Sequence, residues 1–192
     1  MVGECGTNLA LAANKPRKPR PPLNAAKLDE LALGYVGRFA TSRAKLITYL
    51  RRKLRERGWA DPGEPSLDGL ADRLVRLGYV DDRAYALSKA RSMTGRGYGS
   101  RRVRQALGIA GIAEEEAVDA RALVEAEAVD SALRFARRRS IGPFAAERPD
   151  PRRRERELGA MIRAGHGFGL ARAIIDLEPG EIPDSETLAN LR

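Results

Sequence analysis

The chain has 192 residues, 35 Lys/Arg against 26 Asp/Glu, a formal net charge of +9, and 43% apolar but only 5% aromatic residues. One cysteine excludes a disulfide framework, which fits a reducing, cytoplasmic setting, and one histidine without a cysteine cluster leaves no metal-ligand set. No apolar run approaches the ~18 residues that a membrane span needs, so the expectation is a non-membrane protein of helices with thin, alanine-rich cores.

The charge is uneven. Residues 1–60 hold 13 basic and 4 acidic residues and carry the whole imbalance, whereas residues 61–192 hold 22 of each. That suggests an anionic partner, nucleic acid or an acidic protein face, with a solvated surface and basic tail as the bland alternative.

Residues 1–24 contain Cys5 and end in "NKPRKPRPPLN", where proline alternates with charge, so a disordered basic arm is expected. Its short "LALAA" precedes the basic residues, the reverse of a secretory leader. From Ala25 the spacing of Leu28, Leu31, Ala32, Tyr35, Val36 and Phe39 predicts a helix. Ser42 caps a second, "RAKLITYLRRKLRERG", with Leu46, Tyr49, Leu50 and Leu54 inside and Gly58 as its stop. "WADPGEPS" breaks the pattern, and Ser66 opens a helix with Leu67, Leu70, Leu74 and Leu77. Asp81 or Asp82 caps the next, which runs into the glycine stretch "GRGYG" before a helix bearing Val103, Ala106 and Leu107. Residues 113–139 read as one long helix, acidic at its start and basic at its end, with a stripe of Val118, Ala122, Val129, Leu133 and Ala136. A basic helix with Leu158, Met161 and Ile162, then "GHGFGLARAIIDL", completes the ordered part before an acidic tail, 178–192. No strand is predicted.

"TGRGYGSRRVRQAL" (94–107) aligns with "AGHGFGLARAIIDL" (164–177) at an offset of 70, matching Gly95, Gly97, Gly99, Arg102 and Leu107 to Gly165, Gly167, Gly169, Arg172 and Leu177, and Tyr98 to Phe168. This is an internal repeat. A weaker copy sets Ser42 on Gly99 and Lys45 on Arg102. A phosphate-cradling loop would follow a buried strand and carry a Lys-Ser/Thr pair; this stretch follows a helix and has neither. The glycines are therefore read as a turn whose Tyr98 or Phe168 plugs the inter-helix core, with a strained backbone at Gly97 or Gly99 and at Gly167 or Gly169. Asp81–Asp82 is read as a capping pair, His166 holds no metal, and no nucleophile set can be assembled, so no catalytic residue or cofactor is expected.

Basic clusters remain at 51–57, 101–104, 137–139 and 152–156. Lys45, Arg102 and Arg172 share one place in the aligned copies, near a helix start where the dipole opposes a cation. Lys45, Arg101, Arg102, Arg104 and Arg172 are accordingly the candidates for partner or DNA contact, with an internal salt bridge as the competing explanation.

"RLVRLGYVDDRAYALSKARSMTGRGYGSRRVRQALGIAGI" resembles the RecX family of RecA regulators, in its leucine and glycine spacing, Asp-Asp, aromatic–Ala pair and glycine-led basic helix. The resemblance extends from about Leu28 to Leu177 and implies an all-α, elongated, curved solenoid of three three-helix units. Those are expected at 25–58, 66–111 and 112–177. It further implies a monomer that binds the RecA recombinase–DNA filament and inhibits strand exchange and ATP hydrolysis, with no catalysis of its own. The competing reading is a helix-turn-helix protein binding single- or double-stranded DNA directly.

Overall fold

A computed structural model describes residues 20–191; Cys5 and most of the expected basic arm lie outside them. Among the described residues there is no strand, only an isolated parallel bridge between Leu23 and Trp59. The first unit comprises α1 (Ala25–Val36), α2 (Arg43–Arg57) and α3 (Leu67–Arg76). The second comprises α4 (Asp82–Gly95), α5 (Ser100–Ile109) and α6 (Val118–Ala126). The third comprises α7 (Ala128–Arg139), α8 (Pro151–Ala164) and α9 (Phe168–Asp176), followed by the short α10 (Ser185–Ala189).

The expected starts are largely made by the expected atoms. Ser42 accepts from the Lys45 amide, and Asp81 accepts from the Ala84 amide, each satisfying a donor that the first turn would leave open. Breaks fall at 58–66, 96–99 and 165–167, as the proline and glycine positions predict. Phe39 and Leu77 lie past the helix ends and are exposed.

Three cores form. The first gathers Leu28, Leu46, Leu50 and Leu74; the second Ala86, Ala90, Val103, Leu107 and Val124; the third Phe135, Met161, Leu170 and Ile174. The second core is thin because alanines at 86 and 90 let α4 lie close against α6. These cores group the helices differently from the expected spans: α3 closes the first unit and α6 the second.

The long helix expected over 113–139 is two helices. The chain bends at Glu127 (φ −92°, ψ 12°), because α6 serves the second core through Ala120 and Val124 while α7 serves the third through Val129, Ala132 and Phe135. The five-residue step from Val124 to Val129 cannot keep one face on one core. Val118 and Ala122, expected on the stripe, are exposed.

Both ends of the described span, residues 20–191, are more ordered than composition suggested. Leu23, inside the expected arm, is fully buried, and exchanges backbone hydrogen bonds with the α2–α3 connection (Leu23 N to Gly58 O, 3.0 Å; Ala60 N to Leu23 O, 2.8 Å). In the acidic tail, Leu188 of α10 is buried against the third core.

Candidate partner-binding surface

The α4–α5 and α8–α9 turns have the same backbone plan. Gly97 and Gly165 leave α4 and α8 in the left-handed region (φ 78° and 100°), where a β-carbon would clash with its own backbone. Gly99 and Gly167 then take the extended N-cap positions of α5 and α9. The structural offset is thus 68, not the 70 given by glycine identity. Gly-x-Gly-x-Gly looks alike when slid by two residues, and only the φ angles distinguish the alignments. Tyr98 consequently matches His166, not Phe168. Phe168 is 56% exposed and plugs nothing, while His166 is buried; Gly167 and Gly169 have no left-handed backbone, and Gly165 does.

The shift of two also moves the arginines. Lys45 and Arg102 both stand three residues after their caps, but the third copy has buried Leu170 there. Arg172 corresponds to Arg104 instead, and lies 3.6 Å from Asp176. The shared register expected of Lys45, Arg102 and Arg172 therefore does not hold in the third copy.

Lys45, though exposed, is engaged within the chain. Its Nζ donates to the Tyr85 hydroxyl at 3.0 Å and lies 5.4 Å from that ring's centre, linking the first unit to the second. What remains is α5. Val103 and Leu107 face its core, so Arg101, Arg102 and Arg104 face outward. Arg101 and Arg104 meet no carboxylate, and Arg102 donates only to Gln105 Oε1, at 2.9 Å. Elsewhere several arginines are paired (Arg43 with Asp68 and Asp72, Arg83 with Asp119, Arg153 with Glu157, Arg154 with Asp176), while Arg51, Arg55, Arg138, Arg152 and Arg156 share with α5 the lack of a carboxylate.

Arg104 stands over a groove of about 430 Å³ between α5 and α6, with Val103, Leu107, Ile112 and Val124 among its lining and the Glu114–Arg121 ion pair across it. An apolar floor with one unpaired cation, Arg104, at its side suits an apolar segment that carries acid.

Asp81 and Asp82 divide their labour. Asp81 caps its own helix; Asp82 accepts from the Arg43 amide at 2.8 Å, capping α2 from the neighbouring unit. Burial raises the Asp82 carboxyl above its ordinary range, with that hydrogen bond and the Arg43 charge opposing the shift. Sequence spacing could not show a cap supplied across 39 residues.

Residues 81–120 match the family model described as "RecX, second three-helix domain". The Regulatory protein RecX of Myxococcus xanthus is 33% identical over 173 residues, covering 85% of this chain and 91% of that protein. The chain belongs to the RecX family. The Regulatory protein RecX of Agrobacterium fabrum is 32% identical over 139 residues, covering 70% of this chain and 74% of its own. The crystal structure of RecX from Lactobacillus salivarius superposes with a TM-score of 0.56 at 22% identity, over 78% of this chain and 93% of that one, a likeness of fold. The matched family segment contains all of α4 and α5, and so the whole α5 arginine surface.

Proposed function

We propose that this RecX-family chain binds the RecA recombinase on its DNA filament and inhibits ATP hydrolysis and strand exchange, acting by docking and without catalysis. The observation that carries the reading is α5: three exposed arginines with no carboxylate partner, one of which, Arg104, borders an apolar groove, in the unit that matches the family model. Relatives named as regulatory proteins support a regulatory role. A succession of small helical units also suits a polymeric target, because weak contacts made in series add through effective concentration.

The test is the triple substitution Arg101→Glu, Arg102→Glu, Arg104→Glu, read as inhibition of RecA ATPase on single-stranded DNA. The side chains are exposed, so helical content by circular dichroism should match the parent. Inhibition should weaken at least tenfold, since each lost attraction becomes a repulsion. A well-folded triple variant that inhibits like the parent contradicts the assignment to α5.

A further inference from the structure

On the other side of α5, away from the apolar groove, lies a second cleft of about 240 Å³ formed with α4. Lys89 of α4, Arg96 at its C-terminal end and Arg102 of α5 line it, together with Tyr98, Gln105 and Ile109. No acidic residue is among its lining. Arg96 is held by the Ser92 carbonyl and hydroxyl (3.0 and 3.1 Å), Arg102 by Gln105, and Lys89 has no hydrogen-bond or ionic partner. We propose that this cleft binds the phosphodiester backbone of single-stranded DNA, with Lys89, Arg96 and Arg102 as its cations.

Three cations that converge without a counter-ion repel one another, and local helix stability explains only one. Arg96 follows α4, where the dipole favours a cation; Arg102 sits in the first turn of α5, where it does not. A chain of phosphates removes the repulsion and releases condensed counter-ions. The cleft does not suit a free nucleotide's phosphates, because the backbone offers no cradle. The amides of Arg96, Gly97 and Tyr98 are spent on the end of α4, that of Gly99 on Ala164 O, that of Arg101 on Gly165 O, and those of Arg102 and Val103 on Gly99 O. Between Arg96 and Val103 only the Ser100 amide is without a backbone partner, so recognition falls mainly to side chains, which follow a backbone without reading its sequence. The half-buried Tyr98 and the exposed Ile109 supply apolar surface beside the cations, which unpaired bases and sugars reach and a closed duplex does not.

The inference goes beyond the recombinase reading, since the ligand is DNA alone, and its test leaves Arg101, Arg102 and Arg104 unchanged. The measurement is fluorescence anisotropy of a labelled oligothymidylate, titrated without recombinase across a salt series. Lys89→Gln/Arg96→Gln should bind on the order of tenfold more weakly at low salt, and its slope of log affinity against log salt should be shallower by about 1.4, two single-strand phosphate contacts. Lys89→Arg/Arg96→Lys, which keeps the charge, should bind like the parent, separating loss of contact from loss of fold. Arg51→Gln/Arg55→Gln, on α2 of the first unit, should change binding less than twofold. The proposal fails if the parent does not bind, if Lys89→Gln/Arg96→Gln binds as the parent does, or if the α2 pair loses as much.

Discussion

The second unit meets its two neighbours in different ways. Towards the third, contact is mainly backbone on backbone: Gly99 N donates to Ala164 O at 2.9 Å and Arg101 N to Gly165 O at 3.2 Å, and one side chain joins them, His166 Nε2 donating to Gly97 O at 3.1 Å. α4 also packs on α7, and α5 on α8. Towards the first unit no helix packs broadly on another, and side chains make the join. The Ser42 hydroxyl donates to Ala110 O at 2.5 Å, Asp82 caps α2, and Lys45 reaches Tyr85. Two turns of like design bonded through their backbones should move little. A join made mainly of polar side chains should yield more readily, and we expect the hinge there.

The largest effect should come from Gly99→Ala. Its β-carbon would stand 2.4 Å from both the carbonyl carbon and oxygen of Gly165, so the two turns must part. We expect a loss of about 3 kcal/mol in urea unfolding, the upper end for an overpacked contact. Gly108→Ala, on the same helix with nothing within 4 Å, should instead stabilise by about 0.5–1 kcal/mol. A Gly99→Ala protein as stable as the parent would break the comparison.

His166→Leu should rank next. It leaves the Gly97 carbonyl unpartnered in a buried site, which costs about 1–3 kcal/mol. Burial depresses the ring's pKa below its ordinary value of 6.5, against the opposing hydrogen bond to Gly97. The unfolded ring therefore takes up a proton before the folded one, so this contribution is complete above about pH 6.5 and is lost as pH falls towards the folded value. The parent's melting temperature should drop between pH 7.5 and 5.5 by more than that of His166→Leu. An equal drop would remove His166 from the account.

Ser42→Ala should do least. It removes one cap, about 1 kcal/mol, and leaves the Ala110 carbonyl without its partner, at the low end of about 1–3 kcal/mol, with the first unit's own core untouched. A loss as large as that of Gly99→Ala would show the two joins to be alike.

Helices and breaks were legible because their signals are local: Ser42, Asp81 and the glycines act on amides two or three residues away. What stayed hidden depends on partners far along the chain. Glycine identities placed the repeat two residues off, because the backbone angle at Gly97 and Gly165 leaves no trace in residue type. That slip set Arg172 beside Arg102 and gave Phe168 the place of His166. The break at Glu127 was masked by alanines, which suit either face of a helix. Of the candidate surface, Arg101, Arg102 and Arg104 could be picked out as a run of charge. The bond from Lys45 to Tyr85 could not, since Tyr85 lies 40 residues on.

The most direct test of the hinge is a pair of spin-label distance distributions in a Cys5→Ser background. One pair of labels spans the first join, at Arg55 of α2 and Arg91 of α4; the other spans the second, at Arg91 and Arg156 of α8. All three positions are exposed. The Arg91–Arg156 distribution should be narrow, and the Arg55–Arg91 distribution markedly broader, narrowing when recombinase filaments are added. Two distributions of equal width in the free protein would contradict the account.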